Sequence, residues 1–383
     1  MLPTLKKLVF DVAVVGAGIC GCSTAFMLAK AGLRVALVDA KGIAGGGSGA
    51  AGAFIAPKFV KSGPVKELSE AAFHFSLAWY EQHFGAWTSS SRLLHIANNA
   101  LSNARVAYFK THTSLPFSAP DPQLLTQLQP QAQAFESLLL ASSAVVDVKG
   151  ACSVMAAEAQ MFKIHVKSLR HERGLWHLGA LQARHVVLST GAHEHLLDIP
   201  YFTPRAVFGH RINIHTTTHN PLNMHQFVSI SKSDSKGIIA IGATHDVHYN
   251  PLRSEVSYDY AKGRMELLEK ASRTIALEDV EVMEDFTGVR AASIDHLPLL
   301  GPVVDFLKTV ETLPKISQGK EYNINQYKYY PNLYMMNGVG GYGFVLAPYL
   351  AVMLRNYLVH GSAIDPLVLP SRFVRRYMMQ KCR

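Results

Sequence analysis

Apolar residues along the chain form two kinds of pattern, short continuous runs and longer runs with helical spacing. FDVAVV (residues 10–15) is a short apolar run and predicts a buried parallel strand. ICGCSTAFMLAKAG (19–32) predicts a helix that ends at a glycine, and RVALVDA (34–40) predicts a second strand. Together these elements predict one strand–helix–strand unit.

Later segments repeat both patterns. VKELSEAAFHFSLAWYEQHF (65–84) and YAKGRMELLEKASRTI (260–275) have the apolar spacing of helices. Residues 162–192 alternate like two or three strands and finish with VVLSTGA, a buried strand before a glycine turn. Residues 203–260 are also rich in predicted strands.

The stretch NLYMMNGVGGYGFVLAPYLAVMLRNYL (332–358) predicts a strand, a glycine loop at 337–343 and a helix from Phe344 onward. It is apolar enough to pass for a membrane span, but several glycines and a proline interrupt it. We therefore expect a glycine loop leading into a buried helix, with no membrane partner.

The order of these elements predicts an α/β fold with two discontinuous domains. One is a Rossmann-type, dinucleotide-binding domain with a parallel sheet, expected at residues 1–85, 145–202 and 281–383. The other is a β-rich substrate (cap) domain, expected at residues 86–144 and 203–280.

Composition narrows the class of protein. The chain has 383 residues, of which 49% are hydrophobic and 17% charged, which is typical of a globular protein. Its formal net charge is +9, a balance that favours nucleic acid or an anionic surface as partner, although solubility alone explains it equally well. The four cysteines show no metal-binding spacing and, with no export signal, indicate a reducing cytoplasm; they are Cys20, Cys22, Cys152 and Cys382.

A glycine motif follows the first predicted strand. Gly16 permits a tight turn, Gly18 lets the backbone approach a pyrophosphate, and Gly21 lets the helix pack closely on the strand. The helix N-terminus offers free N–H groups and partial positive charge to the phosphates. Asp39, at the end of the second strand, can accept hydrogen bonds from ribose hydroxyls. The motif therefore predicts a bound dinucleotide.

A second glycine-rich loop, GIAGGGSGAAGAFIAP (42–57), begins three residues after that acid. Gly47, Gly49 and Gly52 would let the backbone approach a long ligand at a second place, and Ser48 would add a hydroxyl donor. The alternative is a flexible surface linker, but its apolar second half argues for burial.

Two further features concern charge. TGVRAASIDHLPLLGP (287–302) sets Arg290 among small and apolar residues, where a cation needs a carboxylate or phosphate partner. His193, Glu194 and His195 resemble metal ligands, but they directly follow the VVLSTGA turn. We therefore expect no metal site.

Five motifs occur in an order that resembles the D-amino-acid oxidase-like FAD-dependent oxidoreductase superfamily, over essentially the whole chain. They are the N-terminal glycine motif, GSGAAGAFIAP, VVLSTGA, TGVRAASIDHLPLLG and GVGGYGFVLAP. Within that superfamily, the run Asp295–Pro298, GVGGYGFVLAP and the basic tail SRFVRRYMMQKCR look most similar to the FAD-dependent oxidase domain of bifunctional tRNA 5-methylaminomethyl-2-thiouridine biosynthesis enzymes. His210 stands where many relatives carry glutamine.

The resemblance implies a cofactor and a reaction. FAD would be held without a covalent link, and a carboxymethyl-bearing secondary amine would be oxidised, most fittingly at the wobble uridine of tRNA, with release of glyoxylate. The alternative is an oxidase or dehydrogenase of a small amino acid or amine. Family members carry an N-terminal methyltransferase domain, whereas this sequence starts at the flavin fold, so a separate methyltransferase is an expected partner.

The resemblance also implies roles for single residues. Arg290 would grip the substrate carboxylate, the alternative being a structural salt bridge. Tyr342 would line the substrate channel or simply pack in its loop, and Lys58 would help oxygen react near the flavin or be solvated. The remaining glycines would approach the cofactor; they are Gly191, Gly338, Gly340, Gly341 and Gly343.

Overall fold

The predicted strand–helix–strand unit is present in the computed structural model, which describes residues 9–60, 62–193, 196–318 and 320–381. The strands are β1 (Val9–Val15), β2 (Val35–Asp39), β3 (Phe54–Ile55), β4 (Thr88–Ile96), β5 (Phe117–Ser118), β6 (Ser137–Val146), β7 (Gln160–Lys163), β8 (Arg170–Glu172), β9 (Leu175–Leu178), β10 (Leu181–Leu188), β11 (Arg205–His215), β12 (Asn223–His225), β13 (Ser229–Ile230), β14 (Ile238–Gly242), β15 (Glu281–Ala292), β16 (Leu299–Val304) and β17 (Tyr329–Asn337).

Helices connect and cover these strands. They are α1 (Ile19–Lys30), α2 (Pro64–Phe84), α3 (Ala100–His112), α4 (Pro122–Thr126), α5 (Pro130–Gln133), α6 (Val148–Ala156), α7 (Tyr260–Ser272), α8 (Phe306–Thr312), α9 (Gly343–His360) and α10 (Arg372–Lys381). The helices predicted at 65–84 and 260–275 correspond to α2 and α7 within a few residues.

The chain divides into two compact units, each made of several segments. The first boundary lies after Ser48, whereas the sequence placed it at residue 85, because β3 pairs with β6 and takes the following helix with it. The first unit comprises Met1–Ser48, Cys152–Ala206 and Arg290–Arg383, and the second comprises Gly49–Ala151 and Val207–Val289.

The first unit contains an eight-stranded sheet with the main order β16-β17-β10-β1-β2-β7, and β9 and β8 are added beside β10. From β17 to β7 the neighbours on this path are parallel. The register sets Val15 beside Leu188, and Leu188 beside Met335. Because these residues lie near the carboxyl ends of β1, β10 and β17, the glycine turns that follow the three strands meet at one edge of the sheet. We call it the glycine edge.

Helix α9 begins at this edge and packs along α1. The segment Gly340–His360 is long and apolar enough to cross a membrane, but half of it is buried inside the fold. Most residues from Phe344 to Leu354 are buried. The glycine loop and buried helix expected at 337–358 are therefore both present.

The second unit contains a nine-stranded sheet with the order β15-β11-β14-β13-β12-β4-β6-β3, and β5 pairs with β6. One face of the sheet packs an apolar core against α7; the core includes Leu94, Ile212, Ile230, Ile241 and Leu267. His210 also lies on this face, fully buried between Asp285 (2.9 Å from Nε2) and the Tyr258 hydroxyl (3.2 Å from Nδ1). The imidazole of His210 therefore has both of its nitrogens engaged.

Candidate functional site

Two glycines of the N-terminal motif are required by close backbone contacts. A Cβ atom on Gly16 would lie 2.2 Å from the carbonyl oxygen of Ser189, and the backbone φ of Gly16 is +106°. A Cβ on Gly21 would lie 1.7 Å from the carbonyl oxygen of Gly16. Both positions therefore exclude any side chain, as the turn and the helix–strand packing predicted.

Side chains from outside the motif hold the turn and the start of α1. The backbone N–H of Ala17 donates to Oδ2 of Asp39 at 2.8 Å, and the N–H of Ile19 donates to Oγ of Ser48 at 2.9 Å. The other carboxylate oxygen of Asp39 accepts from the N–H groups of Lys41 (2.7 Å) and Gly42 (2.9 Å). The two predicted ligand residues therefore also fix the backbone, a role that the sequence did not reveal.

The fit of a dinucleotide can be judged from the same region. Gly18 has no side chain, and a Cβ there would lie 3.0 Å from Oγ of Ser48, so a larger residue would press on the hydroxyl that holds the first turn of α1. The buried hydroxyl of Ser189 has no hydrogen-bond partner among the described residues. A helix N-terminus without bulky side chains and with spare hydroxyl capacity can hold a pyrophosphate.

Asn337, which sequence reasoning missed, joins two of the glycine turns. Its side-chain N–H donates to the carbonyl of Gly191 at 3.0 Å, and its side-chain oxygen accepts from the N–H of Gly338 at 2.8 Å. The asparagine is buried at 3% exposure, and both glycines have positive φ, +63° and +73°. Asn337 therefore fixes the spacing of the turns after β10 and β17.

Replacing Asn337 should loosen the glycine edge. Asn337→Ala leaves the Gly191 carbonyl and the Gly338 N–H without their partners, which lowers the free energy of unfolding by about 1–3 kcal/mol. Denaturant unfolding measures this loss. Asn325→Ala, at an exposed asparagine of the same unit, is the control. Equal stability of the two variants would contradict the role of Asn337.

The structure brings Arg290 to the glycine loop between β17 and α9. A Cβ on Gly341 would lie 3.6 Å from Cδ and 3.7 Å from Nε of Arg290, and a Cβ on Gly340 would lie 3.6 Å from the Cβ of Ala292. Arg290 is half-buried, and burial lowers its pKa. A desolvated guanidinium beside a glycine loop is suited to bidentate binding of a carboxylate.

The starts of two long helices meet at the same edge. A Cβ on Gly343, the first residue of α9, would lie 3.2 Å from Cγ2 of Ile19, the first residue of α1. Tyr342 precedes α9, is half-buried, and donates its N–H to the Val339 carbonyl at 3.1 Å. Two helix N-termini thus combine their partial positive charges at one edge.

The second glycine loop is divided between the units. Gly47 lies with Ser48 in the first unit, in a run of turns, whereas Gly49, Gly52 and Lys58 belong to the second unit. A Cβ on Gly52 would lie 3.0 Å from the ring of Phe54, so this glycine makes room for an aromatic ring. Lys58 is half-buried, and burial lowers the pKa of its amine.

The run Asp295–Pro298 and the basic tail are joined to each other. Arg372, in α10, binds the Asp295 carboxylate through Nε (2.8 Å) and Nη2 (3.1 Å). Its Nη2 also donates to the Leu297 carbonyl at 2.9 Å. Arg375 of the same helix pairs with Glu321. Two arginines of the tail that we associated with tRNA are therefore engaged in ion pairs within the fold.

Removing Arg372 should destabilise the protein in a pH-dependent way. Burial raises the pKa of Asp295, but the hydrogen bonds and charge of Arg372 outweigh burial, so the pKa is lowered. The stabilisation is therefore complete above the unfolded pKa of about 3.9 and is lost as the pH falls through the folded pKa. We expect Arg372→Ala to lower the free energy of unfolding by about 1–3 kcal/mol at neutral pH, because the hydrogen bonds to Asp295 and Leu297 are lost.

Urea unfolding of wild type and Arg372→Ala at several pH values measures this difference. Arg376→Ala, at an exposed arginine of the same helix, is the control. The gap between wild type and Arg372→Ala should shrink in acid, and a constant gap would contradict the ion pair as its cause.

The described cysteines are buried. They are Cys20, Cys22 and Cys152, and burial raises the pKa of Cys20 to about 12. Within the described ranges, no group of three or more metal-ligating side chains could hold a metal ion. Cys382 and the predicted metal-like pair Glu194 and His195 lie outside the described residues.

Curated relatives match nearly the whole chain. It is 24% identical over 403 residues to the tRNA 5-methylaminomethyl-2-thiouridine biosynthesis bifunctional protein MnmC of Legionella pneumophila (strain Lens), covering 96% of this chain and 58% of the relative. The protein of that name from Marinobacter nauticus is 25% identical, with 95% and 57% coverage. The chain thus spans somewhat less than three fifths of the length of these relatives.

Solved structures and a family model agree with the fold. Glycine oxidase from Bacillus cereus ATCC 14579 is similar with a TM-score of 0.73, 20% identity and coverage of 94% of this chain and 97% of that one. Iminodiacetate oxidase from Chelativorans sp. BNC1 has a TM-score of 0.69, 19% identity and 93% and 97% coverage. The family model described as FAD dependent oxidoreductase (DAO) matches residues 11–356. The chain belongs to the DAO family of FAD-dependent oxidoreductases.

Proposed function

We propose that this chain oxidises a secondary amine that bears a carboxymethyl group, and that its substrate is 5-carboxymethylaminomethyl(-2-thio)uridine at the wobble position of tRNA. The observation that carries the proposal is the half-buried Arg290 beside Gly341, in a chain aligned over 96% of its length with proteins named for tRNA thiouridine biosynthesis. The net charge of +9 suits a polyanionic substrate.

FAD, when bound, supplies the two-electron oxidation by accepting a hydride. We propose that it is held without a covalent link, since the described cysteines are buried and Cys20 has a raised pKa that keeps its thiol protonated. Its pyrophosphate would lie at the start of α1, and Asp39 and Ser48 would accept from or donate to its ribose and phosphate groups. Gly338, Gly340, Gly341 and Gly343 would face its ring.

The protein's part in the reaction is binding and orientation. Arg290 would hold the substrate carboxylate, which fixes the neighbouring methylene carbon. Loss of hydride from that carbon and of the amine proton converts N–CH₂–COO⁻ to the imine N=CH–COO⁻. Water then splits the imine into the shortened primary amine and glyoxylate. Tyr342 would line the substrate channel, and Lys58 would assist the reaction of the reduced flavin with oxygen.

The test uses the purified yellow protein and tRNA that carries the modified wobble uridine. We expect glyoxylate release and conversion of the nucleoside to its 5-aminomethyl form, followed by nucleoside mass spectrometry. The same tRNA without the modification is the control. Efficient turnover of free glycine or sarcosine, with no reaction of the tRNA, would overturn the proposal.

A second candidate is oxidation of a small amino acid or amine. The fold similarity to glycine oxidase and iminodiacetate oxidase favours it, and the latter acts on a secondary amine with carboxymethyl groups. Salt separates the two candidates. Affinity for tRNA should fall steeply with ionic strength, whereas that for a small amino acid should hardly change.

A further inference from the structure

Five strands of the second unit carry residues at one level across the sheet. The register joins His95 to His225, His225 to Ser229, Ser229 to Gly242 and Gly242 to Arg211. We call these five residues the platform row. Successive side chains of a strand alternate between faces. Their neighbours lie in the apolar core, so the row lies on the opposite face; these neighbours are Leu94, Met224, Ile230, Ile241 and Ile212.

One side of the row is a stack of flat rings. Phe59 lies parallel to His95, with ring centroids 3.7 Å apart, and His95 lies nearly parallel to His225 at 5.3 Å. His95 is 9% exposed, whereas His225 is exposed. The hydroxyl of Ser229 lies 2.7 Å from Nδ1 of His225 and fixes its ring. Desolvation by the surrounding protein lowers the pKa of both imidazoles, although the His225 ring keeps solvent-accessible surface, so the stack ends in a fixed ring that is neutral at pH 7.

The other side of the row is a fixed cation. The guanidinium carbon of Arg211 lies 3.8 Å above the ring of Phe286, and Nη1 donates to the side chain of Asn213 at 3.0 Å. Its stem covers Gly242, where a Cβ would lie 2.8 Å from Cγ of Arg211. Burial lowers the pKa of Arg211 to about 10, partly offset by Glu284 and Asp147, so the group stays charged at neutral pH.

Two small residues, Ser229 and Gly242, separate the ring stack from Arg211. Between the strands of His225 and Arg211 lie two strands, which contribute Ser229 and Gly242 to this level. Three strand spacings put the Cα atoms of His225 and Arg211 roughly 14 Å apart. A ligand with both a flat ring and an anionic group can use both ends of this row, whereas glycine or sarcosine has no ring to stack.

We propose that the platform row binds one nucleotide of the substrate RNA, with its base stacked on His225 and its phosphate bound by Arg211. This inference rests on the proposed function and names the recognition that would separate RNA from a free amino acid. Stacking of a base on a protein ring contributes about 1–3 kcal/mol, and arginine binds phosphate through paired hydrogen bonds.

The probe is an anticodon stem-loop RNA that carries 5-carboxymethylaminomethyluridine, and its binding to the FAD-loaded protein is measured. His225→Ala should weaken binding about tenfold, and His225→Phe should restore it, because a phenyl ring also stacks. His215→Ala, at another histidine of the same sheet, is the control. A loss with alanine that phenylalanine does not restore would overturn the stacking role, and so would no loss at all.

The phosphate contact has its own readout. Arg211→Gln should lower affinity and reduce the slope of log Kd against log salt by about one, because one phosphate contact is lost. Arg273→Gln is a matched control, since Arg273 also lies over a ring, that of Phe227 at 3.9 Å. If the slope of log Kd against log salt is unchanged in Arg211→Gln, the proposed phosphate contact of Arg211 is wrong.

Glyoxylate release from the same RNA separates this inference from the proposed function. If the wild type binds the RNA through His225 and Arg211 but releases no glyoxylate, the proposed function is wrong, whereas the nucleotide-binding role of the platform row is supported. If the wild type releases glyoxylate and the His225 and Arg211 variants bind the RNA as tightly as the wild type, the proposed function is supported, whereas the nucleotide-binding role of the platform row is wrong. FAD absorbance and thermal unfolding confirm that each variant is folded.

Discussion

Arg290→Gln should lower kcat/KM for a carboxymethylamine substrate by on the order of 10³, because it would remove the charge-assisted partner that we propose for the substrate carboxylate. Arg290→Lys should retain part of the activity, since lysine keeps the charge but not the two-pronged geometry. Steady-state kinetics and anaerobic flavin reduction measure the effect.

The control for this prediction is Arg376→Gln, at an exposed arginine of α10. All variants should keep the flavin absorbance of the wild type, because we propose that Arg290 binds the substrate and not the dinucleotide. Unchanged kcat/KM in Arg290→Gln would contradict a role of Arg290 in binding the substrate carboxylate.

Gly21→Ala should yield protein that purifies without flavin. The added Cβ would lie 1.7 Å from the Gly16 carbonyl oxygen, so α1 must move away from the turn that would hold the pyrophosphate. We expect FAD affinity to fall at least 10²-fold, since about 3 kcal/mol of backbone contacts to phosphate depend on this geometry. Absorbance spectra and FAD titration measure it.

Gly46→Ala is the matched control, because a Cβ at Gly46 meets no atom within 4 Å. It should bind FAD as the wild type does. Circular dichroism distinguishes loss of cofactor from loss of fold in Gly21→Ala. A folded Gly21→Ala protein with wild-type FAD content would contradict the assignment of the first glycine turn.

Local sequence patterns predicted the parts of this fold that are local in the chain. β1, α1 and β2 lie where the apolar runs predicted them, because a buried strand and a glycine turn each have a short-range signature. The turns at Gly16, Gly191 and Gly338 meet at one edge because β1, β10 and β17 pair in parallel. The order of the elements along the chain had already predicted a parallel sheet.

Contacts between residues far apart in the chain could not be predicted from local sequence patterns. Ser48 holds the N–H of Ile19, 29 residues earlier, and Arg372 binds Asp295, 77 residues earlier. Each depends on a turn geometry or a helix position that no window of sequence contains. The pairing of Phe54 with Val145, which places the end of the first compact segment at Ser48, is invisible in the local pattern for the same reason.

The order in which the glycine edge is assembled has a consequence for biosynthesis. β1 is made before its neighbour β10, and β17 and the start of α9 are made after both. Until the start of α9 has been made, the glycine edge lacks one of its three turns. We expect flavin loading to follow synthesis of this segment, so that a ribosome stalled before Gly343 yields colourless chains even in flavin-rich cells.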